Sequence, residues 1–371
     1  MLIYHLLPEL EPFSAIRGGA LARDVANIMR LNSLHIVVCS EADDTWGLGA
    51  DRILVTPKMS IYSKIRGKRF LPYWATIATL HRIFEPLLSR LDTGDVVWCH
   101  NQLVFSAALS RSIHAQGARL VQHFHDGHTT LAARSAIRTF TPDASIFVSE
   151  YLREQWLKVS PTLRNIHVVP NGADENLFYP RPEGILADEF APTVLYVGRL
   201  QPEKGVHVLI DAIRILLKRN IKVACKVVGS ALFGGDSITP YVASLMHASP
   251  PSIRFEGRKS GRNIAEEYRS ATILCCPSVW QEPFGNVTIE AMASGIPVVA
   301  TRVGGISEIA SGGGVVLVDP GSAVDLANAL QKLIENKEHR TRVAEDGLKS
   351  FRRRYTWTGV CRQYQNIMES L

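Results

Sequence analysis

Two acidic residues, Glu282 and Glu290, enclose the segment of this sequence best suited to chemistry. The apolar run ILCCPS at 273–278 precedes Glu282, and a residue pattern typical of a helix starts near position 286. Glu282 is therefore expected in a loop between a strand and a helix, where the first amides of the helix favour an anion. Two carboxylates beside that anion suit sugar hydroxyls. Spacing alone leaves open that both are ordinary loop and helix residues.

Two cations follow the candidate strand TVLYVG at 193–198. Arg199 lies just past the strand, and Lys204 begins the next predicted helix. Both could converge on a phosphate group at the carboxyl edge of the sheet, because Arg and Lys are the usual phosphate partners. Two unrelated surface cations would give the same pattern.

The segment RLVQHFHDGH at 119–128 places His123 and His125 on one face of a strand, with Asp126 following. Histidine clusters are common ligands of zinc and of paired metal ions. The hydrolase pattern HxHxDH would, however, need an aspartate at Gly127, and no later His/Asp cluster adds ligands. We predict no metal site and keep a metallohydrolase as a disfavoured alternative.

The segment IRGGALARDVANIMRL at 16–31 puts Gly18 and Gly19 before a predicted helix. Glycine permits close approach of the backbone and leaves its amides bare to an anion. Turn geometry alone would also explain the pair.

The elements that must position these residues alternate between short β-branched runs and helical periods, which predicts parallel sheets covered on both faces. Candidate strands fall into two series, at 2–7, 35–40, 53–56, 96–100, 119–125, 144–149 and 166–170, and at 193–198, 222–229, 252–257, 273–278, 297–301 and 314–319. The turn-rich segment PNGADENLFYPRPEG at 170–184 separates the series and predicts a linker. Two doubly wound α/β domains facing across a cleft are expected, with ligands beyond the carboxyl ends of the strands.

Length and composition agree with two globular domains. The chain has 371 residues, of which 46% are hydrophobic and 20% charged, and this excludes long disorder and disulfide scaffolds. The net charge of +6 is compatible with anionic small molecules, lipid or nucleic acid. The cysteines lie in apolar runs without CxxC spacing, which favours reduced core thiols in a cytoplasmic protein. We expect neither a signal peptide nor a membrane-spanning segment.

The segment EPFGNVTIEAMASGIPVVATRVGG, which starts at Glu282, resembles the E-x7-E region of retaining GT-B glycosyltransferases of family 4. The resemblance implies two Rossmann-like domains, at 1–170 and 171–354, with a last helix at about 355–371 that packs back on the first. It also implies that Glu282 contacts the hydroxyls of the donor sugar and that Glu290 binds the nucleotide ribose.

Further matches extend the resemblance. The segment YVGRLQPEKG implies that Arg199 and Lys204 neutralise the leaving nucleoside diphosphate. These two cations would take the place of a divalent metal, so no cofactor is expected. HFHD implies that His125 and Asp126 lie near the reacting sugar carbon. The catalytic residues are then expected to be His125, Glu282, Arg199 and Lys204, and the donor-binding residues Gly18, Gly19, Asp126, Gly229, Arg258, Phe284, Gly285, Asn286, Val287 and Glu290.

The implied reaction transfers a hexosyl unit, of the glucose or N-acetylglucosamine type, from a nucleotide sugar that we expect to be UDP-linked. The acceptor would be a saccharide or a lipid-linked glycan in the synthesis of cell-envelope polysaccharide or lipopolysaccharide. Retention would follow from attack on the face that the diphosphate leaves. The alternatives are a sugar-nucleotide epimerase or phosphorylase on the same fold, a metallohydrolase and a non-catalytic carbohydrate-binding protein.

The stretch 58–74 interleaves basic and aromatic residues. This composition fits peripheral contact with an anionic membrane, a solvated surface or a nucleic-acid patch. The resemblance favours lipid on the inner face of the plasma membrane, and we expect no nucleic-acid partner.

Overall fold

Two parallel β-sheets, one in each half of the chain, organise this protein. The computed structural model describes residues 1–371 apart from 10, 16, 31–32, 58–72, 128–129, 183–191 and 232–237. The chain divides into unit 1, which is Met1–Val169 with Cys361–Leu371, and unit 2, which is Pro170–Val360. The α/β class expected from the sequence is confirmed.

Unit 1 is built on a seven-stranded sheet in which all neighbouring strands run parallel. Its strands are β1 (Ile3–Leu6), β3 (His35–Cys39), β5 (Ile53–Val55), β6 (Val96–His100), β7 (Arg119–Phe124), β8 (Ala144–Phe147) and β9 (Ile166–Val168). Two short strands, β2 (Phe13–Ser14) and β4 (Ala42–Asp43), pair separately. The order β5-β3-β1-β6-β7-β8-β9 changes direction between β1 and β6. The carboxyl ends of these two strands therefore mark the place where such sheets bind ligands.

The helices of unit 1 alternate with these strands along the chain. They are α1 (Ala20–Met29), α2 (Tyr73–Ile83), α3 (Glu85–Leu88), α4 (Leu103–Ala115), α5 (Leu131–Ala136) and α6 (Glu150–Val159), with a 3-10 turn at Ala50–Arg52. Helix α1 buries Leu21, Val25 and Ile28. Their spacing of three and four residues puts them on one face, as the sequence pattern predicts. Helix α6 begins at Ser149, whose hydroxyl accepts the amide hydrogen of Leu152 at 3.1 Å.

Unit 2 is built on a six-stranded sheet that is also parallel throughout. Its strands are β10 (Thr193–Val197), β11 (Ala224–Val228), β12 (Ile253–Gly257), β13 (Ile273–Cys276), β14 (Val298–Thr301) and β15 (Val315–Val318). The spatial order β12-β11-β10-β13-β14-β15 changes direction between β10 and β13. The loops after these two strands carry the cations and the glutamate that the sequence analysis selected.

Helices flank this second sheet as well. They are α7 (Val206–Lys218), α8 (Pro240–Ala248), α9 (Gly261–Ser270), α10 (Asn286–Ala293), α11 (Ile306–Ala310), α12 (Ala323–Glu335) and α13 (Lys337–Arg354), with a 3-10 turn at Pro202–Lys204. In α7 the side chains of Leu209, Ile213 and Leu216 are fully buried. Burial of each such side chain stabilises the fold by about 1.5–3 kcal/mol. This packing holds α7 against the core of unit 2.

The last helix, α14 (Trp357–Glu369), has contacts in both units. In unit 2, the Trp357 amide donates a hydrogen bond to Glu175 Oε2 at 3.1 Å. In unit 1, the Tyr364 ring contacts the ring of Trp98, with centroids 5.0 Å apart, and the ring of His123 at 5.6 Å. Tyr364 thereby covers the sheet face that carries Trp98 and His123.

The membrane expectation concerns residues that the structure describes only in part. The stretch 58–74 lies outside the described residues except for the backbone of its last two positions. Elsewhere, among the helices described, none combines the length and the apolar character needed to cross a membrane.

Candidate functional site

A close approach of two loops brings Lys204 beside the loop after β13. Lys204 ends the 3-10 turn, and Gly205 follows with φ +73. A Cβ atom on Gly205 would lie only 1.9 Å from the carbonyl oxygen of Pro277, so this position requires glycine. The Val279 amide also donates to the carbonyl oxygen of Glu203 at 2.9 Å. The loop after β10 is therefore fastened to the loop after β13.

Lys204 and Glu282 form an ion pair in this place. Lys204 Nζ donates to Glu282 Oε1 at 2.6 Å, and the Ser278 hydroxyl donates to the same oxygen at 2.5 Å. The side chains of Lys204 and Glu282 are only 16% and 10% exposed. The ammonium also lies 5.0 Å from the centroid of the Trp280 ring. The pair as a whole has no net charge, but it holds the ammonium in a fixed position that is shielded from water, where Coulomb interactions are stronger.

Two glycines fix the backbone of the loop that carries Glu282. The Gly305 amide donates to the Glu282 carbonyl oxygen at 2.8 Å, and the Gly304 amide donates to Gln281 Oε1 at 2.7 Å. Gly304 has φ +45, and a Cβ atom there would lie 2.0 Å from the Glu282 carbonyl oxygen. The VGG segment after β14 thus serves to position Glu282.

Helix α10 starts directly after this loop. Gly285 precedes it with φ +112, a conformation that L side chains rarely adopt, and Phe284 is buried. Asn286 Oδ1 accepts a hydrogen bond from Asn171 Nδ2 at 2.8 Å. The predicted arrangement of a glycine followed by a helix start is present, and Val287 lies half-buried in its first turn. Asn171 lies 115 positions away in the chain, so no local sequence pattern indicates this contact.

Glu290 lies in the same helix and has a partner that the sequence did not indicate. The Tyr268 hydroxyl, on α9, donates to Glu290 Oε2 at 2.8 Å. Glu290 is 6% exposed and Tyr268 is fully buried. A carboxylate bonded in this way has a fixed orientation. No spacing signal links residues on two different helices, which explains why Tyr268 was missed.

The remaining predicted residues of unit 2 lie along the same edge of the sheet. Gly229 follows β11 with φ +149, and a Cβ atom there would lie 1.8 Å from the Gly198 carbonyl oxygen. Arg199 is half-buried after β10, and its carbonyl oxygen accepts a hydrogen bond from the Tyr196 hydroxyl at 2.7 Å. Arg258 is exposed after β12. These residues follow three adjacent strands, so they share one carboxyl edge with Lys204 and Glu282.

The glycine pair of unit 1 differs from its expectation. The Glu11 carboxylate accepts a hydrogen bond from the Ala22 amide at 2.8 Å. It also accepts hydrogen bonds from the amides of Gly19 and Leu21. The amides expected to be bare to a ligand anion therefore already hold an internal carboxylate. Gly18 is required for packing, since its Cβ atom would lie 2.3 Å from the Ser14 carbonyl oxygen. Burial raises the pKa of Glu11, and its three amide bonds oppose that rise.

His125, which is half-buried, ends a chain of imidazoles whose other members are buried. Its Nε2 lies 3.0 Å from Nδ1 of His100, whose Nε2 lies 3.1 Å from Nδ1 of His5. Nε2 of His5 in turn lies 2.8 Å from Nδ1 of His35. The chain crosses β3, β1 and β6 and ends just after β7. The sequence gives no sign of the roles of His5 and His35, because their partners lie on other strands.

The backbone at His125 and Asp126 is held by the side chains of Asn101 and Trp156. Asn101 Oδ1 accepts the His125 amide hydrogen at 2.7 Å, and Asn101 Nδ2 donates to Asp126 Oδ2 at 3.1 Å. The Trp156 indole donates to the Asp126 carbonyl oxygen at 3.1 Å. Asn101 itself has φ +62, which asparagine tolerates better than most residues. The predicted pair His125 and Asp126 is thus rigidly placed at the carboxyl edge of unit 1.

Burial keeps these imidazoles neutral. It lowers the pKa of His125 to about 3 and that of His35 to about 4. It also holds the pKa values of His5, His100 and His123 well below the usual value. Removal from water disfavours the charged form of a histidine, so each ring has one protonated and one unprotonated nitrogen near pH 7.

Known proteins resemble both units. Residues 31–177 match the model of Glycosyltransferase Family 4, and residues 182–350 match that of Glycosyl transferases group 1. An uncharacterized glycosyltransferase of Methanocaldococcus jannaschii is 26% identical over 307 residues, or 75% of each chain. A D-inositol 3-phosphate glycosyltransferase of Corynebacterium glutamicum is 34% identical over 216 residues, which are 54% of this chain and 51% of that protein. The chain thus spans about half the length of that relative.

A solved structure covers the whole chain. HepE of Anabaena, crystallised with UDP and glucose, superposes with a TM-score of 0.76 and 22% sequence identity over 100% of both chains. This likeness confirms the expected fold class, two Rossmann-like sheets of the GT-B type.

Proposed function

We propose that this chain, with a domain of the glycosyltransferase family 4 type in unit 1 and one of the glycosyl transferases group 1 type in unit 2, is a nucleotide-sugar-dependent glycosyltransferase. It moves a hexosyl unit from the nucleotide to an acceptor hydroxyl. The observation that carries the proposal is the contact between Lys204 and Glu282 where the strand order of unit 2 changes direction. There a fixed cation for a diphosphate and a fixed carboxylate for a sugar lie side by side.

Lys204 and Arg199 hold the donor diphosphate. A lysine ammonium has three N–H donors, and Lys204 gives one of them to Glu282, so two remain for phosphate oxygens. Negative charge grows on the diphosphate as its bond to the sugar breaks. A cation positioned in advance lowers the energy of that state without having to reorganise. The amides at the start of α10 add their partial positive charge.

The two glutamates hold the rings on either side of the diphosphate. Among the described residues, Lys204 and Ser278 both donate hydrogen bonds to Oε1 of Glu282. Oε2 of Glu282 then accepts a hydrogen bond from a hydroxyl of the donor sugar. Glu290, which is held by the Tyr268 hydroxyl, accepts hydrogen bonds from the hydroxyls of the ribose. Gly229 and Arg258 surround the nucleotide base, Val287 contributes to donor binding, and the amides of Phe284, Gly285 and Asn286 lie near the sugar and the phosphate.

The reaction proceeds with retention of configuration at the sugar. Retention by double displacement would need a carboxylate nucleophile. Glu282 is poorly suited to that role, because its Oε1 is bonded to an ammonium and a hydroxyl. The acceptor oxygen instead attacks the face from which the diphosphate departs, and the leaving phosphate oxygen takes the acceptor proton. His125 contacts the sugar near the reacting carbon, with Asp126 beside it, an assignment that rests on sequence resemblance.

The donor in this proposal is UDP-linked glucose or N-acetylglucosamine, supported by the UDP and glucose of the Anabaena HepE structure. The acceptor is a saccharide or a lipid-linked glycan of the cell envelope, built at the cytoplasmic face of the membrane. Support for this acceptor comes from sequence resemblance and from the composition of 58–74, which suits contact with anionic lipid.

Substitution of Lys204 tests the proposal. Lys204→Ala removes a charged hydrogen-bond donor worth about 1.5–3 kcal/mol, so affinity for UDP should fall roughly 10- to 150-fold in isothermal titration. Lys222→Ala, an exposed lysine of the same unit, is the control and should bind like the parent chain. Circular dichroism establishes that both variants fold. Unchanged UDP affinity in folded Lys204→Ala would remove the basis of the proposal.

A product assay separates this function from its rivals. The chain is incubated with UDP-glucose, with and without a glycan acceptor, and free UDP is measured. A transferase releases UDP and releases more of it with acceptor, whereas an epimerase changes the sugar without releasing UDP. A phosphorylase requires inorganic phosphate, and a binding protein turns nothing over.

A further inference from the structure

Three histidines of unit 1 bring their ring nitrogens together. His100 and His123 are register partners on β6 and β7, and His125 follows on the same face as His123. One nitrogen from each ring can be chosen so that all three lie within 4.8 Å of one another. We propose that His100, His123 and His125, the tri-histidine cluster, bind one transition-metal ion of the Zn²⁺ class. This site is separate from the diphosphate site of unit 2 and does not rest on it.

His123 supplies an independent reason. It is 1% exposed, and neither of its ring nitrogens has a hydrogen-bond partner among the residues that the structure describes. Its neighbours on the sheet face are the rings of Trp98 and Tyr364, with centroids 5.8 and 5.6 Å away. A buried polar atom without a partner is costly, and buried polar groups in proteins are almost always satisfied. A metal ion in the cluster would use one of these nitrogens.

The geometry is close to that of a tetrahedral site. Zn²⁺ binds imidazole nitrogen at about 2.0–2.1 Å, which separates two ligand nitrogens by about 3.4 Å. His100 Nδ1 and His125 Nε2 are already 3.0 Å apart. The widest separation in the cluster is no more than 4.8 Å, so it must shorten by at most about 1.4 Å. Metal binding therefore requires the rings to turn about their side-chain bonds by an amount of this order.

The contacts of His100 match those that support a metal-binding histidine. Such a histidine usually donates its second N–H to a neighbour, which fixes its ring. With Nδ1 of His100 on the metal, its Nε2–H would donate to His5 Nδ1 at 3.1 Å, and His5 Nε2–H would donate to His35 Nδ1 at 2.8 Å. One consistent set of tautomers therefore satisfies the whole chain. Asn101 in addition holds the backbone of His125.

The ligand set also indicates which ions would bind. Neutral imidazoles suit zinc, copper, nickel and cobalt, whereas magnesium and calcium prefer oxygen ligands. Three histidines leave a fourth coordination position for water or a ligand. The assignment is compatible with the proposed sugar contact of His125, because Nε2 faces the cluster and Nδ1 remains.

The sequence predicts no metal site, since His123 and His125 do not complete the hydrolase pattern HxHxDH and no later His/Asp cluster adds ligands. The third ligand, His100, comes from a neighbouring strand, and the structure shows that the register of β6 and β7 places it beside His123.

Metal analysis of the full chain tests the cluster. The protein, with any affinity tag removed, is incubated with excess Zn²⁺ or Co²⁺, desalted and measured by elemental analysis. We expect about one ion per chain, a visible absorption band for the Co²⁺ form and a higher thermal midpoint of unfolding with metal than with a chelator. None of these readouts requires a sugar donor, so failure here is distinguishable from failure of the proposed function.

Variants identify the ligands. His123→Phe keeps a ring against Trp98 and Tyr364 but removes both nitrogens, so the bound ion and its stabilisation should be lost. His125→Gln, at the half-buried end of the cluster, should also lower metal content and serves if His123→Phe fails to fold. His247→Ala, an exposed histidine of unit 2, is the control and should bind as much metal as the parent chain. A parent chain that retains no metal, or folded His123 and His125 variants that retain as much as the parent, would overturn the proposal.

Discussion

The hydrogen bond from Tyr268 to Glu290 gives the sharpest test of how the nucleoside is held. The two oxygens are 2.8 Å apart, and the side chains are fully buried and 6% exposed. Tyr268→Phe removes the donor hydroxyl and leaves the ring in place against Phe178, whose centroid is 5.5 Å away. The substitution therefore removes the bond to Glu290 and keeps the ring packing.

The expected cost follows from the charge and burial of the acceptor. A hydrogen bond to a charged group contributes about 1.5–3 kcal/mol. The thermal midpoint of unit 2 should fall by roughly 2–4 °C for each kcal/mol lost. Glu290 must also be oriented again when ribose binds. If about 1.4 kcal/mol of the loss appears in binding, UDP affinity falls about tenfold.

The assay compares two ligands on the same variant. Isothermal titration with UDP should show the loss of affinity, whereas pyrophosphate, which has no ribose, should bind as it does to the parent chain. Tyr241→Phe is the matched control, because its hydroxyl contacts the exposed His207 ring at 3.0 Å and not the site. That variant should keep its affinity for both ligands.

Two results would refute the reasoning. An equal loss for UDP and pyrophosphate would show that Tyr268 acts on the diphosphate or on the fold as a whole. A lower thermal midpoint with unchanged UDP affinity would show that Glu290 does not contact the ribose.

Two further predictions concern loops and helix starts. Gly304→Ala would place a Cβ atom 2.0 Å from the Glu282 carbonyl oxygen, so both thermal stability and UDP affinity should fall. Gly321→Ala has a similar positive φ and open space around its Cβ, so differential scanning fluorimetry should show only the strain of about 1–2 kcal/mol. Glu11→Gln removes a charge bonded to the first amides of α1 and should destabilise that helix by about 0.5–2 kcal/mol. Hydrogen exchange at the Ala22 amide should then be faster, and unchanged exchange there would contradict the cap. Glu85→Gln, at an exposed position of α3, is the control and should leave exchange at Ala22 unchanged.

Much of unit 2 was readable from the sequence because its parts are contiguous. The run from ILCCPS through Glu282 to α10 is one strand, one loop and one helix, and each has its own local pattern. The alternation of strands and helices likewise predicted both sheets. The direct contact of Lys204 with Glu282 was not readable, since the two residues are 78 positions apart and meet only because β10 and β13 are neighbours.

In unit 1 the sequence identified positions but not their partners. Gly19 and His125 stand at the expected ends of elements, yet the residues they contact come from elsewhere. The Glu11 carboxylate accepts a hydrogen bond from the Ala22 amide, three residues after Gly19. Nδ1 of His100 lies within hydrogen-bond distance of Nε2 of His125. Nothing in the period of one strand or one helix reports on the side chain that the next element contributes.

The amino-acid sequence by itself determined the α/β class, the two series of strands and the loops that carry Arg199, Lys204 and Glu282, because these depend on local hydrophobic period and turn residues. Only the tertiary structure decided that Tyr268 bonds Glu290 and that His5, His35, His100 and His125 form one chain. The physical reason is that strand order and register set these neighbours. Register is fixed by the burial of whole sheet faces, which is a property of the folded chain and not of any one segment.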